Sequence, residues 1–317
     1  EVPVAGVRGQ DTDLGGVPTA VRMLVGVQLR RLREAQGISR AEAAEAIRGS
    51  ESKISRMELG RVTFKRRDVL DLLTLYGVQD EREREALLER VREANSPEWW
   101  HAYRDVAPDW LQRYLGLEGT AALIRTYEAQ FVPGLLQTPE YARAVVRLGH
   151  PAADEREIDK RVRLRLERQQ VLSRPDAPVL WAVVDEGALR RPVGGRRIMR
   201  DQLESLVATV TKMPNVRLQI IPLEAGGHAA AGGSFTILRF PHRDLPDVVY
   251  IEHLTSALYL DSEHDVECYF DVVNRLCVQA APLTRTVEIL DSIIADLAAA
   301  TARDPVYPWP HNGPTAR

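Results

Sequence analysis

Long apolar runs are missing from this chain of 317 residues: none approaches the ~18 consecutive residues that a membrane-spanning helix requires. Cysteine is scarce too. Cys268 and Cys277 stand nine positions apart in a segment read as helical, on different faces, which fits reduced core thiols and not a disulfide framework. The opening stretch EVPVAGVRGQDTDLGGVPTA lacks the basic start and apolar core of a secretory signal, so a cytoplasmic location is expected. Metal-ligand spacings are equally sparse. His264 and Cys268 are four apart without a second ligand pair, and His101, His150, His242 and His253 form none. The Gly-rich GGHAAAGG around His228 is not followed by the Lys and Ser/Thr of a phosphate loop; lying between two strand-like segments, it reads as a hairpin loop. No nucleophile, base and orienting group converge, so the expectation is a protein that is not an enzyme and carries no cofactor or metal.

What is present is the composition of a folded protein, 44% hydrophobic and 27% charged, at a length that suits two globular units. The net charge of -3 conceals an asymmetry: residues 20–68 hold 12 Lys and Arg against 6 Asp and Glu, a balance of +6 that leaves the rest of the chain acidic. A basic unit is joined to an acidic one, and nucleic acid is the natural partner of the first.

The basic unit is helical by pattern. Met23, Val27, Leu29 and Leu32 recur at helical spacing, and Gly37 ends that helix. Ser39 followed by Glu42 is a capping-box signature for a second helix; Ser50 is placed to cap a third, ESKISRMEL, which Gly60 stops. Residues 66–76 make a further amphipathic helix. The mostly charged DEREREALLERVREAN, with a narrow stripe of Leu87, Leu88, Val91 and Ala94, reads as an exposed linker helix, with a dimer-forming helix as the alternative. Beyond residue 100 helices are expected near 102–116, 119–129, 138–148 and 153–172; strands follow at 179–185, 216–223, 234–240 and 247–254 and in ALYL, with more helices near 196–210, 263–280 and 284–301. The expected organisation is a flexible start (1–20), a mostly α helix-turn-helix bundle (21–79), a linker helix (80–98), a larger mixed α/β domain with a small sheet (99–301) and a flexible Pro-rich tail (302–317).

Residues 31–61 carry six arginines, a lysine and five glutamates around small apolar residues. A helix-turn-helix needs a tight turn, small residues where its helices touch, and short polar or basic residues facing outward; IRGS, the alanines 43, 44 and 46, and the outward Glu51, Ser52, Lys53, Ser55 and Arg56 supply these. The stretch LRRLREAQGISRAEAAEAIRGSESKISRMELGR resembles the Cro and phage-repressor class of regulators, often called the XRE family. The resemblance implies an ion pair between Arg33 and Glu58 that locks the first helix to the third. It places Ser50, Glu51, Ser52 and Lys53 at the start of the recognition helix and Arg56 at a further outward position. Glu51 and Arg40 stand where glutamine is common; Arg40 is read as a phosphate contact. Lys65, Arg66 and Arg67 are either a solvated face or contacts to the DNA backbone, and their neighbourhood favours the second.

The remainder, including FVPGLLQTPEYARAVVRLG, LWAVVDEGALRRPVGG and DVVYIEHLTSALYL, resembles actinomycete regulators with an XRE-type head and an antitoxin-like domain of unassigned activity. That resemblance implies a small partner protein encoded nearby and bound by the larger domain. Two further sites are candidates. Asp185, Glu186, Arg190 and Arg191 at a strand end form either a small-molecule pocket or a local ion-pair set. Trp99, Trp100, Tyr103, Trp110 and Tyr114 read as core, or as a partner surface if several are exposed. The expectation is a cytoplasmic transcriptional regulator, homodimeric on palindromic double-stranded DNA and without a membrane partner; a metabolite sensor and a protein-interaction module are the alternatives.

Overall fold

The computed structural model describes residues 18–303. The flexible ends expected at 1–20 and 302–317 lie outside the described residues, except that 18–20 already belong to the first helix and 302–303 to the last. The chain divides into two compact units, one of residues up to His101 with Phe240–Leu245 and one of the remainder.

Five helices build the first unit: α1 (Pro18–Ala35), α2 (Arg40–Ala46), α3 (Glu51–Glu58), α4 (Arg66–Leu75) and α5 (Glu81–Ala94). Their starts are set locally. The Ser39 hydroxyl accepts from the Glu42 amide while the Glu42 carboxylate accepts from the Ser39 amide; Ser50 accepts from the Lys53 amide, and Asp80 from that of Arg82. Each such cap contributes about 1 kcal/mol to a helix this short.

Two glycines fix how α1 meets α3. A Cβ on Gly26 would stand 2.6 Å from the carbonyl oxygens of Met57 and Glu58, and one on Gly60 would stand 2.6 Å from Cα of Met23. The helices therefore cross with their backbones in contact, which only residues without a side chain allow. Around that crossing Val25, Leu29, Ala43, Ile54, Met57, Val69, Leu72 and Leu73 form one core.

The fifth helix corrects an expectation. Residues 80–98 read as a linker, yet Leu87, Val91 and Ala94 are buried in the same core, and the helix packs on α1 and α4. Its stripe is narrow because it fills one groove between two helices, so charged residues can cover the rest of its surface. The Asn95 side chain then ties its end to Phe64, donating to the carbonyl at 2.7 Å and accepting from the amide at 3.0 Å.

The second unit is a six-stranded sheet covered by helices. Its strands are β1 (Leu123–Glu128), β2 (Val179–Asp185), β3 (Val216–Ile221), β4 (Phe235–Arg239), β5 (Val248–Glu252) and β6 (Ala257–Leu260), in the order β3-β2-β1-β4-β5-β6. The first three run parallel and the β1–β4, β4–β5 and β5–β6 pairs are antiparallel. Its helices are α6 (Asp109–Thr120), α7 (Pro139–Gly149), α8 (Glu155–Arg168), α9 (Glu186–Arg190), α10 (Arg196–Lys212), α11 (Glu263–Gln279) and α12 (Thr286–Arg303). Helices α7 and α8 carry the crossover from β1 to β2, and α9 and α10 that from β2 to β3, as parallel neighbours require. Val273 and Leu276 of α11 pack with Tyr127, Val183, Ile237 and Val249 of four strands.

The central strand is the largest departure from the sequence reading, which took 119–129 as helical. LIRTYE is rich in residues that tolerate a helix, and its polar positions hide the strand signal. Each finds a partner inside the sheet unit. Arg125 donates to Asn274 Oδ1 at 2.8 Å, and the Thr126 and Thr236 hydroxyls lie 3.0 Å apart. The helix expected at 102–116 is instead a short 3-10 turn (Trp99–Tyr103) and α6. Nor is the Gly-rich loop around His228 a hairpin: it joins β3 at one edge of the sheet to β4 on the far side of β1. Cys268 is exposed and not a core thiol, because α11 turns Val273 and Leu276 inward; Cys277 is half-buried, and both thiols are free.

Leu87→Ala is expected to destabilise the helical unit by about 2–5 kcal/mol through the cavity it leaves. Hydrogen exchange of the full chain would show protection lost across α1 and α4; unchanged protection there would return α5 to the role of a linker.

Candidate nucleic-acid interface

One buried carboxylate organises the helix-turn-helix. Glu58, at the end of α3, is 4% exposed and accepts from Arg33 of α1 through Nε at 2.5 Å and Nη2 at 3.1 Å. Arg40, at the start of α2, adds a bond from Nε at 3.2 Å. Arg33 also donates to the Ile38 carbonyl at 2.8 Å, bracing the α1–α2 turn. The hydrogen bond to Glu58 holds the Arg33 guanidinium above its usual range, against a smaller opposing effect of burial. Burial, with the nearby Glu58 charge, pushes the Tyr76 hydroxyl up to about 12. Three helices thus share a charge-assisted fork, and its geometry fixes the angle at which α3 is presented.

With α3 so held, its first turn carries the exposed residues Ser50, Glu51 and Ser52. Lys53 is different. Its ammonium is engaged by Asp68 in the first turn of α4, and its side chain is half-buried. Ser55 is also half-buried, while Arg56 is exposed and donates from Nε to the Ser52 carbonyl at 3.2 Å, lying along α3 towards that first turn. At the head of α4, Lys65, Arg66 and Arg67 are all exposed; Arg67 pairs loosely with Asp71 at 3.9 Å. Lys65 makes no side-chain cap, so the first amides of α4 accompany two adjacent cations. Arg40 is a phosphate candidate whose charge is partly spent on Glu58, although its side chain remains 44% exposed.

Arg48 was not singled out by the sequence. It is exposed in the α2–α3 turn, and at φ 51 it holds the left-handed conformation expected of the adjacent glycine. Its exposed cation therefore stands in the turn that precedes α3. The IRGS motif marked the turn but not which of its residues would take the unusual backbone.

The second unit's candidates resolve differently. Asp185 caps α9 by accepting from the Gly187 amide at 2.7 Å. Glu186 is buried, accepting from Arg190 Nε at 2.7 Å and the Leu223 amide at 2.9 Å, and Arg190 reaches Asp296 at 2.9 Å. Hydrogen bonds to Asp296 and then Glu186 hold the Arg190 guanidinium above its usual range. These residues knit α9 to α12 and to the end of β3, while Arg191 stays exposed. The aromatic group does not form a surface: of its five members only Trp99 is exposed, at 44%, and Trp100 is buried beside it, edge to face at 5.6 Å. Trp99 and Trp100 also belong to the first unit, not the second.

Residues 24–87 match the family model of a helix-turn-helix domain, a span that runs from α1 into α5. Residues 111–292, more than half of the chain, match the model of a domain of unknown function, DUF5753. The chain belongs to the DUF5753 family. Its DUF5753 domain opens within α6, contains all six strands and closes within α12. No curated protein and no solved structure matches the chain. No described helix is long and apolar enough to cross a membrane.

Arg33→Ala is expected to cost about 3–5 kcal/mol, since it strips the main partner from a buried carboxylate, whereas Arg33→Met with Glu58→Leu is expected to cost far less. Chemical denaturation of the full chain followed through the helical unit distinguishes them; equal losses would mean that the fork adds only packing.

Proposed function

We propose that this protein is a sequence-specific, DNA-binding transcriptional regulator of the XRE type. The single observation that carries the reading is the set of helix N-termini: α3 offers exposed Ser50, Glu51 and Ser52, with Arg48 preceding it, and α4 begins with exposed Lys65, Arg66 and Arg67. In this reading α3 enters the major groove. Arg56 and the first turn meet base edges, while Arg40, Arg48 and the 65–67 cluster grip phosphates on either side. Glu51 accepts from a cytosine amine where a phosphate would be repelled. Lys53 exchanges Asp68 for the DNA, so its contribution is discounted by the ion pair it leaves.

A recognition helix of eight residues offers little surface for specific binding. The protein therefore acts as a homodimer on a palindromic operator in the cytoplasm. It is a regulator and not an enzyme, and its DUF5753 domain modulates the head through a small partner protein, as the resemblance of the chain to regulators encoded beside such proteins supports. A domain that serves chiefly as an antitoxin-like interaction module, with the head as a tether, is the competing form of the same reading. Copurification of a small protein that leaves DNA binding unchanged would favour it.

Binding to duplex DNA is expected to weaken steeply with salt, and Lys65→Ala or Arg66→Ala each to lower the slope of log K against log salt by about 1. Fluorescence anisotropy across a salt series measures this; an affinity indifferent to salt would contradict the phosphate contacts.

A further inference from the structure

Four neighbouring strands place arginines and one tryptophan on a single face of the sheet. Arg125 of β1 stands opposite Trp181 of β2, and Trp181 opposite Arg217 of β3. On the other side of β1, Arg125 stands opposite Ile237 of β4, and Arg239 follows two residues later. Side chains alternate along a strand, so these residues share the face on which α11 packs, where Val273 and Leu276 lie with Tyr127, Val183 and Ile237.

The arginines are spaced by rings. Cζ of Arg125 lies 5.1 Å from the centre of the Trp181 ring and Cζ of Arg217 5.3 Å. Because β1 and β3 flank β2, the two guanidinium groups reach the indole from opposite sides. Phe270 of α11 is approached by Arg239 at 4.7 Å and by Arg125 at 5.9 Å. The result is a ladder of three cations and two rings, each contact within the reach of a cation–π attraction. Its middle is fixed from below: the Trp181 indole donates to Gln219 Oε1 at 2.8 Å, and Gln219 Nε2 donates to the Cys277 and Ala281 carbonyls at 3.2 Å each.

The ladder is held in place without being neutralised. Arg125 donates from Nη1 to the amide oxygen of Asn274 at 2.8 Å and from Nη2 to Cys277 Sγ at 3.4 Å, and its Nε is buried without an acceptor. None of these partners is an anion. Arg217 is exposed, and its contact among the described residues is the indole. Arg239 meets an acid, Asp247 at 2.9 Å, yet its side chain remains 51% exposed. A guanidinium is always charged and only donates, so the row offers unused donors and unanswered charge. It does so in a chain that is acidic outside residues 20–68.

We propose that this ladder is the surface on which the DUF5753 domain binds an extended acidic segment of a partner polypeptide, with carboxylates taken by Arg217, Arg125 and Arg239. The inference rests on, and narrows, the reading that a partner protein acts through this domain. Planar guanidinium edges match carboxylates, and opposite charge across an interface selects the partner as well as attracting it. Two observations favour a polypeptide over a nucleic-acid strand. Guanidinium groups occupy both sides of the Trp181 ring, so no face is left for a base to stack on. Val278, next to Cys277 on α11, is 86% exposed, an apolar contact that serves a polypeptide and not a phosphate backbone.

The test is fluorescence anisotropy of the full chain with a labelled decapeptide of alternating Glu and Ala, alongside the Gln–Ala decapeptide and a single-stranded decanucleotide. The Glu peptide is expected to bind tenfold or more tightly than the Gln peptide, and Arg217→Gln with Arg239→Gln to remove that advantage. Lys65→Ala with Arg66→Ala, in the helical unit, is expected to leave it unchanged. Equal binding of the Glu and Gln peptides overturns the proposal, as does binding that survives the two ladder substitutions or is lost with Lys65 and Arg66. A decanucleotide that binds through the ladder as tightly as the Glu peptide overturns the assignment to a polypeptide. Both substituted side chains are exposed, so the ladder variant is expected to melt with the parent; a lower melting point would make the arginines structural braces and the proposal would fail. A small protein that copurifies equally with parent and ladder variant would overturn the ladder while leaving the partner reading intact.

Discussion

The helical unit depends on the carboxylate of Glu58, buried where α1, α2 and α3 meet and held by Arg33 and Arg40. A buried charge is costly unless its lone pairs are answered, and here two guanidinium groups from two other helices answer them. The consequence is orientational. Gly26 and Gly60 let α1 and α3 touch along their backbones, and the fork sets where along that contact they stop. The residues that point outward from α3, and the basic head of α4 beside them, are therefore placed by a feature that faces entirely inward.

Much of this unit was legible in sequence because its signals are local. Ser39 with Glu42, Ser50 with the Lys53 amide, and the glycines after α1, α3 and α4 are short-range devices, and the structure shows the helices starting and ending at them. The Arg33–Glu58 pair spans 25 positions and came from the family resemblance, not from pattern. What pattern could not supply was context. The stripe of α5 is too narrow to announce a buried helix, and whether Lys53 faces outward or towards Asp68 depends on how α4 is set against α3. Arg48 carries a left-handed backbone beside a glycine that would have taken it more cheaply, which no propensity scale anticipates.

In the DUF5753 domain the failures have one cause. Strand β1 reads as helix because Arg125, Thr126 and Glu128 interrupt its apolar alternation, and those are the residues whose partners lie far along the chain: Asn274, Thr236 and Ser234. A central strand with polar residues makes sense only when the groups that satisfy them are assembled. The candidates Asp185, Glu186, Arg190 and Arg191 were visible because they sit in one short segment; the first three cap and brace α9, while Arg191 stays exposed.

The claim on which the account rests is that α3 reads a specific duplex. Selection from a random-sequence library with the full chain tests it directly. The account requires an enriched site of two inverted half-sites about 34 Å apart, one helical turn, with Arg56→Ala relaxing the choice at a single position in each half. Retention of duplexes without any enriched sequence, by the parent and Arg56→Ala alike, would contradict it.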